Sequence, residues 1–172
     1  MPKYRKHWRV FVSSPDDVQN EVDAIKQVID KLNKINASNT TRLDFVNWKT
    51  DVSPGAAERA QEVINSSIGD DYDIYVGIMW KKFGSGTIEE FEHAYERQFM
   101  LNDNIKIMFY FKEISARPDE SGIEQIEEVK KFRNRITPTC LYGQFKEVSE
   151  FREMVESHLP DTIRILKKQE KS

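Results

Sequence analysis

The residues of this chain best suited to chemistry sit in FGSGTIEEFEHA, residues 83–94. Two glycines flank a serine, and a threonine leads into adjacent glutamates. Two readings compete for Glu90. Thr87 and Glu90 have the hydroxyl-then-acid spacing of a capping box, in which the carboxylate reaches back to the start of its own helix. The other reading is chemical. A carboxylate held ionised near a helix N-terminus can hydrogen-bond ribose hydroxyls and stabilise positive charge developing on an anomeric carbon. Glycosyl transfer through an oxocarbenium-like state needs such a group. Ser85 and Gly86 leave room for a ligand to approach the backbone.

A second group precedes it in the chain. Ser13 and Ser14, in VSSPDD, offer hydroxyls and a helix N-terminus to a phosphate or a ribose; the competing role for Ser14 is simple capping. Trp80 and Phe83 can flank a planar base or pack at the end of a central strand, and Trp48 reads as core. Lys81 and Lys82 can reach a pyrophosphate or remain solvated. Other chemistries lack their patterns. There is no GxGxxG, no GxxxxGK[ST] and no GxSxG elbow, and no convincing Ser/His/Asp set. The histidines, His7, His93 and His158, lie far apart and lack metal-ligand spacing. The single cysteine, Cys140, excludes a disulfide within the chain and fits a reducing, cytoplasmic setting.

The elements that must position these residues follow from hydrophobic period. WRVFVSS (8–14), RLDFVNW (42–48), DIYVGIMW (73–80), IKIMFYF (105–111) and CLYGQF (140–145) read as strands. The third is apolar on both faces, as buried parallel strands are. Helical spacing marks 14–35, 56–68, 87–101, 123–136 and 148–159. In the first of these Val18, Val22, Ile25, Val28, Ile29, Leu32 and Ile35 recur on one side. In the third, Ile88, Phe91, Tyr95 and Phe99 form the expected inward stripe, with Glu90 at its edge. Strict alternation with short connections predicts an α/β fold: a flavodoxin-like, open five-stranded parallel sheet of order 2-1-3-4-5, with helices on both faces. In that topology ligands bind beyond the carboxyl ends of strands 1 and 3, where SSPD and WKKFGSG fall.

The length of 172 residues predicts one domain over 8–160, with a lead-in at 1–7 and a tail or linker at 161–172. Acidic residues number 29 and basic residues 26, with the signs interspersed, which gives no whole-chain footprint for nucleic acid. No apolar run approaches a membrane span, and the N-terminus shows no signal peptide.

Several of these stretches, taken together, resemble a known family. RVFVSSPDDVQNEVDAI and DIYVGIMWKKFGSGTIEEFEHA are similar to the opening and the third strand and helix of the TIR-like domains of the DUF4062 group. EEVKKFRNRI and FKEVSEFREMVESHL look like its closing helices, so the resemblance spans nearly the whole chain. The wider TIR superfamily includes enzymes that cleave NAD at the nicotinamide–ribose bond with one glutamate near the start of the third helix. The resemblance implies that Glu90 is that glutamate, with Glu89 its less well-matched neighbour, and that NAD is substrate with no further cofactor. Nucleoside deoxyribosyltransferases carry a comparable GTxxE arrangement. Gly86 and Thr87 stand where TIR enzymes commonly have a W-C-x-x-E form, a departure that bears on the pocket. By the same resemblance, loop 49–55, with Asp51 and Pro54, corresponds to the loop that in TIR domains mediates self-association and gates the site. The resemblance also implies a bacterial immune effector, activated by oligomerisation with a sensor domain or partner subunit. Ser13, Ser14, Trp80, Phe83, Ser85 and Thr87 then line the pocket. A non-catalytic interaction module and a deoxyribosyltransferase are the alternatives.

Overall fold

The structure, a computed structural model, describes residues 6–35, 41–47, 71–82, 84–113, 123–138 and 140–171. Strand β1 spans Lys6–Ser13, β2 Thr41–Val46, β3 Ile74–Met79, β4 Lys106–Lys112 and β5 Leu141–Phe145. Helix α1 spans Gln19–Ile35 after a 3-10 turn at Asp16–Val18; α2 spans Ser85–Tyr95, α3 Ile123–Ile136 and α4 Val148–Lys171. The strands form one sheet in the order β2-β1-β3-β4-β5, and every neighbouring pair is parallel. The expected helix at 56–68 and loop at 49–55, with Asp51 and Pro54, lie outside the described residues, as do Trp48 and Phe83.

Side chains alternate across a strand, so each strand feeds two cores. Val10, Val12, Ile74, Val76, Ile78, Met108 and Tyr110 point towards α1 and α4. Phe11, Tyr75, Met79, Phe109 and Phe111 point the other way, against Phe91 and Ala94 of α2 and Phe132 of α3. There the rings of Phe91, Phe109 and Phe132 meet edge to face at 5.2–5.8 Å. Gly77 makes that packing possible: a Cβ on it would stand 2.2 Å from the Phe109 ring.

Two expectations change. The inward face of α2 is Thr87, Glu90, Phe91 and Ala94, continued by Arg97, while Phe99 is 40% exposed. A π turn at Glu96–Met100 follows α2 directly, closed by the Leu101 N–H donating to the Glu96 carbonyl. Its wider turn rotates the face of the last residues. Arg97 takes the inward position, donating to the Tyr72 carbonyl at 3.0 Å and to Asp103 at 3.1 Å. The second change is at the C-terminus. Instead of ending at residue 159, α4 runs through Pro160 to Lys171 and carries Ile163 and Leu166 into the core. An internal proline costs a helix about 3 kcal/mol, whereas burying two aliphatic side chains stabilises by about 3–6 kcal/mol.

Candidate active site

Helix α1 leaves β1 for one face of the sheet and α2 leaves β3 for the other, so a crevice opens where these adjacent strands end. Ser13, the last residue of β1, pairs with Gly77 of β3 and faces α2. Its hydroxyl donates to Glu90 Oε1 at 3.0 Å, and both residues are buried, at 0% and 4% exposure. A short polar side chain at the end of an otherwise apolar strand thus meets a carboxylate on the inward face of a helix.

Tyr75 completes this group. Its hydroxyl donates to the Thr87 carbonyl at 3.2 Å. Burial pushes the phenol well above the ordinary tyrosine value and the Glu90 carboxylate pushes it further, while a hydrogen bond with Ser13 opposes both. Ser13, Tyr75, Thr87 and Glu90 therefore meet at one buried point on the α2 side. The sequence reading missed Tyr75, since it lies within the apolar run DIYVGIMW. Its hydroxyl, two residues before Gly77 on the same sheet face, was the available signal.

The capping-box reading of Glu90 does not hold. The N-cap of α2 is Gly84, with no side-chain cap bond, and Thr87 is the third helical residue. Glu90 lies in the second turn, away from the capping-box position, and it accepts a hydrogen bond from Ser13 of the sheet. Nor does Ser14 cap the first helix: Pro15 holds the N-cap position of the 3-10 turn, with no side-chain cap bond. The Ser14 hydroxyl is buried and has no hydrogen-bond partner among the described residues.

The two loops at the crevice are tied together. Asp17 Oδ2 accepts from the backbone N–H groups of Lys81 and Lys82, each at 3.2 Å, and Lys82 pairs with Asp16 at 2.6 Å. Gly84 lies against Pro15, where a Cβ would stand 2.9 Å from the ring Cγ. These contacts set where α2 starts, and hence where Glu90 points.

The remaining expected residues are distributed differently. Ser85 opens α2 and is exposed. Trp80 packs with the α1 and α4 side of the core, on the face opposite Glu90. Its indole N–H donates to the Glu113 carbonyl at 3.1 Å. The ammonium groups of Lys81 and Lys112 lie 4.2 and 4.5 Å from its ring centroid, and Lys112 pairs with the buried Glu21 at 2.8 Å. Asn47, just past β2, is buried and donates to the Val12 carbonyl at 3.2 Å. Among the described residues, no three His, Cys, Asp or Glu side chains gather where they could hold a metal. No described helix is long and apolar enough to cross a membrane.

Fold and site together define a doubly wound α/β domain with a buried, hydrogen-bonded glutamate at its switch point. The chain belongs to the family described as "Domain of unknown function (DUF4062)", which matches residues 9–160. No curated protein matches the sequence. Among solved structures, it is similar to a homoserine dehydrogenase from S. aureus at pH 7.0 (TM-score 0.40, 13% identity, covering 83% of this chain and 33% of that one). The same enzyme at pH 8.5 gives a TM-score of 0.39 at 13% identity, over 84% and 33% of the two chains. The chain therefore spans about a third of that enzyme's length.

Proposed function

We propose that this protein is an NAD glycohydrolase in which Glu90 acts on the ribose of the nicotinamide nucleotide. The observation that carries the reading is the buried Ser13–Glu90 hydrogen bond at the switch point, joined to a helix start at Gly84 that puts Thr87 and Glu90 out of capping-box register. A carboxylate removed from water acts on developing charge more strongly than an exposed one. The bond between ribose C1′ and the pyridinium nitrogen breaks, and its electron pair leaves with neutral nicotinamide. Positive charge then develops across C1′ and the ring oxygen, where Glu90 stabilises it. Water adds to C1′ and loses its proton, giving ADP-ribose. Ser13 orients the carboxylate and Tyr75 holds the Thr87 backbone beside it.

The family resemblance adds dependence on self-association, so turnover per protomer should rise with protein concentration. The test is nicotinamide release from NAD at high protein concentration, with wild type beside Glu90→Gln. Glu90→Gln should lower release by at least about 100-fold, the scale of losing one transition-state electrostatic partner, with the melting temperature held. Equal release by the two proteins would refute the assignment.

A further inference from the structure

A cavity of about 190 Å³ lies between the last turn of α1, the start of β2 and the middle of α4. That exceeds the roughly 150 Å³ that accommodates benzene in an engineered protein core. It is remote from the crevice, since β2 begins at the amino end of the sheet and Glu90 lies beyond the carboxyl ends. Leu32, Leu43, Pro160 and Ile163 supply an apolar lining, and Arg164 and Lys167 supply two cations. One wall is held firmly: the Asn33 amide donates to the Leu43 carbonyl at 2.8 Å and accepts from the Leu43 N–H at 2.9 Å. Asn33 thereby extends the pairing of β2 towards α1.

The two cations differ in how they are balanced. Arg164 pairs with Asp161 one turn away, and both side chains are exposed, an arrangement worth little in water. Lys167 is half-buried, and no carboxylate lies within ion-pair distance of it among the described residues. A lysine whose stem lies along apolar surface carries its ammonium to the edge of that surface, where it can pair with the charged end of a ligand seated there. Pro160 also lines the cavity, and it has no backbone N–H to offer there.

We infer that this cavity is a binding site for a small amphipathic anion. An aliphatic or aromatic body fills the space over Leu43 and Ile163, and a carboxylate pairs with Lys167. The site stands independently of the proposed reaction at Glu90.

Octanoate is the probe, titrated calorimetrically into the whole chain, with octan-1-ol as the uncharged equivalent. Saturable binding at one site is expected for octanoate, and binding at least about tenfold weaker for octan-1-ol. Lys167→Glu, a change at the rim that spares the core, should weaken octanoate by about tenfold or more, and Ile163→Trp should fill the space and abolish binding. Equal binding of acid and alcohol would overturn the inference. So would wild-type affinity in Lys167→Glu, or no saturable binding of octanoate at all.

Discussion

Replacing Ser13 with alanine removes the hydroxyl that donates to the buried Glu90 carboxylate. A buried charged group that loses a donor costs about 1–3 kcal/mol, so Ser13→Ala should lower the urea midpoint accordingly. Tyr75 and Tyr110 make a second residue-level prediction. Both phenols are pushed above the ordinary value of 10.0, chiefly by burial. The unfolded chain therefore loses these protons first as pH rises. Their stabilising contribution is complete below the unfolded value and declines as pH climbs from there towards the folded value. Denaturation measured from about pH 9 to about pH 11 should show wild type losing stability more steeply than Tyr110→Phe. Glu90 was legible as a candidate in GTIEEF, but its two possible roles were not separable there. The spacing of Thr87 and Glu90 suits a cap; only the start of α2 at Ser85 shows that the cap is not made.

Among the elements, α2 matters most, and its placement depends on Asp17. Two consecutive backbone N–H groups of the β3–α2 turn converge on one Asp17 oxygen. Asp17→Ala should free that turn and raise amide exchange at Lys81, Lys82 and the first residues of α2. Asp17→Asn keeps a side-chain carbonyl that can accept the same bonds, and should restore protection. Identical exchange in the two variants would show that the contact does not hold the turn. The acidic start of the first helix was visible in SPDD, and the dipole explained it adequately. That one acid clasps a loop more than sixty residues away is a consequence of β1 lying beside β3. The same holds for the inward face of α2. The apolar stripe through Ile88 and Phe99 is a helical pattern, but the packed face of α2 runs through Thr87, Glu90, Phe91 and Ala94, and the π turn that follows leaves Phe99 exposed.

At the scale of the whole molecule, α4 closes the fold. It packs along α1, and Lys6 at the start of β1 pairs with Glu170 near its end. Ending the chain after Leu159 would remove Ile163 and Leu166 from the core, a loss of about 3–6 kcal/mol. Urea denaturation should show a midpoint shift of that size, whereas a detachable tail would leave it unchanged.

The sequence by itself determined the class of the fold and the order of its strands. Those depend on local periodicity and on short right-handed connections, both of which can be read along the chain. It also placed a carboxylate and two serines at the crevice, because loop positions follow from strand order. Tertiary structure alone decided how those residues divide. Alternation across the sheet sends Ser13 and Tyr75 to the face on which α2 brings Glu90, and Trp80 to the other. Whether a polar side chain caps, binds or packs depends on which distant atoms surround it, and one-dimensional spacing carries no information about them.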